Sequence, residues 1–277
     1  MKIIDGKTLA ENLRKNIANE VKQYSSPPGL AVILVGDDQA SQVYVRNKSR
    51  ACVEVGFYSD QIHKSANITQ EELLSEVQRL NENNNIDGIL VQLPLPSHID
   101  ANEIIEAIIP EKDVDGFSSE NVGKLSLNKP FISPCSPKGV MKMLDSIKCD
   151  LRGKDCVIIG ASNSVGRPMA MEFLNAGATV QVCHKETKDS KQKTKSADII
   201  VAAAGVANLV NSEWVKEGAV IIDVGIIRLE DGSMTGDVDF DDVKDVVSAI
   251  SPVPGGVGPM TIAVLLENTL TAYQAKL

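Results

Sequence analysis

Short apolar runs, each closed by a glycine, proline or aspartate turn signal, alternate along this chain with stretches of helical period. Leu9, Leu13, Ile17 and Val21 stand four apart, so residues 8–24 are predicted to form a helix with one buried face, ended by Pro27-Pro28-Gly29. Residues 30–35 are apolar at every position, the pattern of a strand buried on both faces. A Gly36-Asp37-Asp38 turn then leads to a predicted helix over 41–55, closed by Gly56. Residues 58–63 and 86–92 read as strands flanking a helix over 70–80, and Pro94 and Pro96 stop the second of them. The same rhythm returns after residue 150. Strands are predicted at 156–159, 179–183, 198–202 and 219–223, with a helix over 169–176 that follows Pro168 and stops at Gly177. A linking helix is expected over 139–147, irregular chain over the Pro- and Gly-rich 251–259, and a closing amphipathic helix over 261–273. Strand and helix in alternation imply parallel sheets, with ligands at the carboxyl ends of the strands. The expectation is an α/β protein of two α/β domains, 1–119 and 120–277, with a cleft between them, the second built on a doubly wound parallel sheet.

Composition narrows the partners. A length of 277 residues is ample for two cores, and a net charge of −9 with no basic run argues against nucleic acid. No charged-then-apolar leader stands at the N-terminus, and no apolar run nears the roughly 20 residues that cross a bilayer. A soluble, cytoplasmic protein without membrane contact is expected. Five cysteines and three scattered histidines, His63, His98 and His184, lack metal-ligand spacing, so no metal site is expected.

Three stretches carry candidate chemistry. In Gly160-Ala-Ser-Asn-Ser-Val-Gly-Arg-Pro168, Gly160, Ser162 and Gly166 hold positions one, three and seven, where the dinucleotide fingerprint has glycine at one, three and six. A strand, a turn of small residues and a helix N-terminus still offer backbone N–H groups to a phosphate. Tyr44 and Lys48 are four apart and share a helix face, Gln92 ends a buried strand, and Asp113 and Asp115 precede Gly116 in a polar loop. After the 179–183 strand comes His184-Lys185-Glu186-Thr187, where an acid would favour the ribose hydroxyl of NAD and a cation the 2′-phosphate of NADP.

Together with Asp87-Gly-Ile-Leu-Val-Gln-Leu-Pro-Leu-Pro96, Pro110-Glu-Lys-Asp-Val-Asp-Gly-Phe117 and Pro252-Val-Pro-Gly-Gly-Val-Gly-Pro-Met-Thr261, the motifs Tyr44-Val-Arg-Asn-Lys48 and Gly160 to Pro168 resemble the bifunctional methylenetetrahydrofolate dehydrogenase/methenyltetrahydrofolate cyclohydrolase family. The match is co-linear over nearly the whole chain. It implies oxidation of 5,10-methylenetetrahydrofolate with NADP, then hydrolysis of the methenyl product to 10-formyltetrahydrofolate, in the one-carbon metabolism that feeds purine biosynthesis. By the same resemblance residues 1–119 form a folate-binding catalytic domain and 120–277 a Rossmann-like NAD(P)-binding domain, with the helix over about 261–277 packing back on the former. Lys48 would be the key catalytic group, acting as proton acceptor and donor in the hydrolysis. Tyr44 would stack on the aminobenzoate ring, Gln92 would hydrogen-bond Lys48, and Asp115 would accept from the guanidine-like edge of the pterin. Ser41, Pro254 and Gly255 would also line the substrate site. Gly160, Ala161 and Ser162 would lie under the cofactor, Lys185 on its 2′-phosphate and Ile226 beside the nicotinamide. Tetrahydrofolate derivatives are the expected partners, and a homodimer the expected assembly. A shikimate-type dehydrogenase would keep the nucleotide motif without needing Tyr44, Lys48 and Gln92 together, and a non-catalytic binding protein would not need Lys48.

Overall fold

A computed structural model describes residues 1–277. The chain divides into two compact units, one of Met1–Ala10 with Ser136–Thr261 and one of Glu11–Cys135 with Ile262–Leu277. No helix is long and apolar enough to cross a membrane.

The second of these units holds a three-stranded parallel sheet in which Gly29–Val35 lies between Tyr58–Lys64 and Gly88–Val91. The central strand is buried at every residue because both of its faces are covered, which is what its unbroken apolar run required. The outer strand Tyr58–Lys64 is polar and partly exposed, as an edge allows. Ile33, Leu73, Val77, Leu80, Ile89 and Ile104 belong to the core on one face. The helix Gln39–Val55 begins where the Asp38 carboxylate accepts the Ser41 N–H at 2.7 Å. It ends at Gly56, whose positive φ of 83° lets its own N–H return to the carbonyls of the last turn. The helix Gln70–Glu82 is started by a capping box between Thr69 and Glu72.

The other unit is a six-stranded, all-parallel sheet. Its order runs Lys2–Ile3, Ala249–Ile250, Val220–Asp223, Ile199–Ala202, Asp155–Ile159, Thr179–Cys183. The strands predicted after residue 150 are all present, with ends displaced by a residue or less. Val157, Ile159, Ile200, Ile221 and Ile250 pack in its core. The order reverses direction at Asp155–Ile159, so the Gly160 turn stands at the switch point where doubly wound sheets bind ligands.

Several elements escaped the pattern. Lys2–Ile3 and Ala249–Ile250 are only two residues long, and Ile227–Arg228 pairs with Met234–Thr235 in a small antiparallel ribbon. Neither length shows a period. The division of the chain also departs from the expected 119/120 boundary. The helix Ser119–Ser126 stays with the chain before it, because Asn121 Nδ2 donates to Pro110 O at 2.9 Å and to Asp113 Oδ2 at 3.0 Å. Residues 251–259 are not irregular throughout, since the closing helix starts at Val257 and admits Pro259 in its first turn, where a missing N–H costs nothing.

Candidate functional site

Gln39–Val55 presents Ser41, Tyr44 and Lys48 at i, i+3 and i+7, one helical face. Lys48 Nζ donates to Gln92 Oε1 at 2.9 Å. Gln92 follows the last residue of the Gly88–Val91 strand, and its backbone N–H still bonds Ile33 O at 2.8 Å, so the side chain is delivered from a rigid sheet end. Its amide cannot turn freely. Gln92 Nε2 donates to Leu93 O at 2.7 Å, and a carbonyl accepts only, so the amide oxygen must face Lys48. Ser41 sits in the first turn, buried, with its backbone N–H taken by Asp38. Tyr44 is half-exposed, and burial of the rest of its ring edge pushes its hydroxyl pKa up.

The two acids of the polar loop have different employment. Asp113 is buried and fully engaged, accepting from Gly116 N at 3.0 Å, Ser118 N at 2.8 Å and Asn121 Nδ2 at 3.0 Å. It shapes the loop. Asp115 receives no backbone N–H; the Cys135 thiol reaches its Oδ1 at 3.7 Å. The residue keeps some exposure while its carboxyl lies deep among protein atoms, and burial pushes its pKa up; the nearby Lys48 charge opposes that rise and Asp113 adds to it. A carboxylate with unused acceptor capacity beside an amine is arranged for a cationic or multi-donor ligand. Asn268 Nδ2 holds this loop in place through Val114 O and Ser133 O, both at 2.9 Å. Cys135 is buried and, through that thiol contact, a neighbour of Asp115.

In the six-stranded unit, Gly160, Ala161, Ser162, His184, Lys185 and Trp214 are among the residues around a cavity of about 470 Å³. Gly160 has φ +121°, and a Cβ there would lie 2.0 Å from Ala203 O; one at Gly166 would lie 2.1 Å from Gly160 O. The glycines at positions one and seven are thus demanded by backbone packing. Gly160→Ala is expected to lower stability by several kcal/mol and to abolish dinucleotide binding, as thermal melting and ligand titration would read.

The helix Gly166–Asn175 differs from the expected bare anion cradle. Ser162 Oγ accepts from Val165 N at 3.1 Å and Gly166 N at 3.4 Å, and Ser162 O accepts from Arg167 N at 3.0 Å. Ser162 itself serves these N–H groups, leaving them less free for phosphate than the motif suggested. Lys185 is highly exposed and stands 3.9 Å from the also exposed Glu186, a pair too open to hold the lysine. The 184–187 turn is fixed by His184 N to Thr187 Oγ1 at 2.9 Å. Ile226, Pro254 and Gly255 line a smaller pocket of about 70 Å³ in the same unit. No cluster of side chains suited to a metal ion occurs.

Sequence reasoning also missed Asp223 and Asp237. Asp223 accepts from Gly225 N at 2.9 Å, Asp237 N at 3.0 Å and Val238 N at 3.0 Å. Burial, with Asp237 adding in the same direction, lifts its pKa to about 6 against those hydrogen bonds. Their signal was an aspartate closing an apolar strand and the Gly236-Asp-Val-Asp239 run, acids placed beside glycines in an apolar setting.

Comparison with known proteins meets this geometry from outside. The model of the tetrahydrofolate dehydrogenase/cyclohydrolase catalytic domain matches residues 4–115, and that of the NAD(P)-binding domain of the same family matches residues 134–277. The bifunctional protein FolD of Ruthia magnifica subsp. Calyptogena magnifica is 60% identical over 277 residues, all of both chains. The crystal structure of the bifunctional FolD methylenetetrahydrofolate dehydrogenase/cyclohydrolase of Campylobacter jejuni shares 53% identity over 100% of both chains, with a TM-score of 0.98. The FolD structure of Trypanosoma brucei, complexed with NADP cofactor and inhibitor, shares 40% identity over 99% of this chain and 97% of its own, with a TM-score of 0.95. The chain belongs to the tetrahydrofolate dehydrogenase/cyclohydrolase family, a bifunctional folate enzyme that carries both the catalytic and the NAD(P)-binding domain.

Proposed function

We propose that the chain oxidises 5,10-methylenetetrahydrofolate with NADP and hydrolyses the methenyl product to 10-formyltetrahydrofolate, with Lys48 as the proton-handling group. The observation that carries this reading is the Lys48–Gln92 hydrogen bond of 2.9 Å, with Asp115 close enough for Lys48 to act on its ionisation. Water adding to the methenyl carbon must give up a proton; as the bond from that carbon to N5 then breaks, N5 must receive one, while the carbinol hydroxyl loses its own to solvent as the formyl C=O forms, the net proton the hydrolysis releases. Lys48 as amine takes the first and as ammonium returns the second. Gln92 Oε1 holds Nζ in one place through both states, since either form of the amine can donate to it. Tyr44 would stack on the aminobenzoate ring, Ser41 would lie at the near edge of the same helix face, and Asp115 would accept from the pterin.

NADP supplies the hydride acceptor when bound. The cavity at Gly160, Ala161 and Ser162 is large enough for part of a dinucleotide, and Gly160 leaves backbone in reach of it. Lys185, exposed on that cavity, would meet the 2′-phosphate, while Ile226, Pro254 and Gly255 would meet the nicotinamide and folate. Lys185→Ala is expected to raise KM for NADP about 10- to 100-fold, the loss of one charge-assisted contact, and to leave KM for NAD unchanged. Equal effects on both cofactors would remove Lys185 from this role.

The deciding experiment supplies 5,10-methylenetetrahydrofolate with NADP or NAD and follows reduced cofactor and methenyl intermediate together. Reduction by NADP with decay of the intermediate is the expected result; preference for NAD would move the ribose role to Glu186. The same reading makes the chain a cytoplasmic homodimer, for which sedimentation equilibrium should give twice the 29.7 kDa chain mass.

A further inference from the structure

Two buried carboxylates, Asp223 and Asp237, are 3% and 0% exposed, and both are met by backbone N–H groups. Asp237 Oδ2 accepts from Ala204 N at 2.6 Å and Gly205 N at 3.2 Å, and its Oδ1 accepts from Val206 N at 2.8 Å. These three residues form the turn after the Ile199–Ala202 strand, and Ala204 and Val206 line the cavity that holds Gly160 and Lys185. Asp223, at the end of the neighbouring strand, fixes Gly225, which with Ile226 lines the smaller pocket. The acids are joined, because Asp223 Oδ1 accepts the Asp237 N–H at 3.0 Å. One hydrogen-bond network thus runs from one wall to the other.

The local sequence is cleared to admit this network. A Cβ at Gly225 would lie 2.6 Å from Asp237 N and 2.8 Å from its Oδ1, and one at Gly236 would lie 1.9 Å from Asp223 Oδ2. Neither glycine has a positive φ, so room for the carboxylates, and not backbone conformation, accounts for them. Burying two acids close together is costly, and a neutral residue could fill the space more cheaply. What only a carboxylate supplies is two oxygens that together gather several converging N–H groups into a fixed turn.

We propose that Asp223 and Asp237 are positioning residues for the dinucleotide, Asp237 setting the 204–206 turn that walls the Lys185 cavity and Asp223 coupling that turn to the Gly225–Ile226 side. The inference rests on the NADP reading above and extends it to residues that do not themselves touch the cofactor. Asp237→Asn puts an amide donor against one of the converging N–H groups, so the turn must open. Asp223→Asn disturbs the coupling while leaving the turn's own acceptor in place.

Trp214, the single tryptophan, lines the same cavity, so its fluorescence is expected to change when NADP binds there. Asp237→Asn is expected to weaken NADP binding at least 10-fold in that titration. Asp223→Asn is expected to lower dehydrogenase kcat about 10-fold with a smaller change in NADP binding. Hydrolysis of supplied methenyltetrahydrofolate, which uses no dinucleotide, reports in each variant whether the enzyme remains folded. NADP binding within twofold of wild type in an Asp237→Asn enzyme that still hydrolyses would overturn the proposal. So would parallel loss of binding and hydrolysis with a lowered Tm in both variants, the mark of a purely structural pair. A wild-type chain that hydrolyses but neither binds nor reduces NADP would overturn the underlying reading instead, and the proposal with it.

Discussion

Lys48→Met should abolish the cyclohydrolase step while the protein remains folded. Met keeps nearly the length of the lysine stem, and Lys48 is only partly buried, so little packing is lost. What disappears is the one amine hydrogen-bonded to Gln92 Oε1. A positioned acid–base group contributes about 10²- to 10⁴-fold to a rate, and in the proposed mechanism one group handles both proton transfers. Hydrolysis of methenyltetrahydrofolate should therefore fall on the order of 10³-fold. Hydride transfer from the methylene carbon needs no proton acceptor and should fall much less. The variant should accumulate methenyl product, visible in a stopped assay as reduced cofactor without 10-formyl product. Undiminished hydrolysis would end the assignment of Lys48. Gln92→Ala should be milder, because it leaves the amine and removes only its fixed acceptor.

Asp115→Ala should weaken folate binding far more than NADP binding. Loss of hydrogen bonds to a charged acceptor costs about 1.5–3 kcal/mol each, or roughly 10- to 100-fold in affinity. Separate titration of the two ligands would check it, and equal weakening of both would reject the assignment. The pH dependence has a definite sign. Burial raises the Asp115 pKa above the ordinary 3.8, so the folded protein holds this proton to higher pH than the unfolded chain does. A pterin edge made of donors requires the ionised acid. Folate affinity should thus fall as pH is lowered through the raised value, and Asp115→Asn should flatten that part of the profile. The same shift implies a stability cost that is absent below pH 3.8 and sets in as pH rises through the folded pKa. Asp115→Asn should accordingly melt no lower than wild type at neutral pH while binding folate worse. A carboxylate kept for a ligand at some expense to the empty fold would behave in this way.

How much of this was legible in advance depended on the range of the interaction. The runs at 30–35, 156–159 and 198–202 named their strands, the last short of only Asp198, because a strand covered on both faces has no polar positions to spare. The four-residue step from Tyr44 to Lys48 put both on one helix face, since that is local helical geometry. Gln92 was recognisable as a strand end from the prolines behind it. Asp113 and Asp115, by contrast, are indistinguishable as residues in a loop. Only folding showed that Asp113 is consumed by Gly116, Ser118 and Asn121, while Asp115 keeps acceptor capacity near Lys48.

The chain alone therefore determined the alternation of elements, the helix face of Tyr44 and Lys48, and, through co-linear motifs, the family. Tertiary structure decided what no local pattern encodes: that Lys2–Ile3 closes the edge of a sheet whose other strands lie far along the chain, that Ser162 occupies the helix N–H groups the motif seemed to leave for phosphate, and that Asp223 and Asp237 meet. Periodicity reports which face of an element is buried. It carries no record of which distant backbone N–H a buried carboxylate will accept, because that pairing exists only once the strands are side by side.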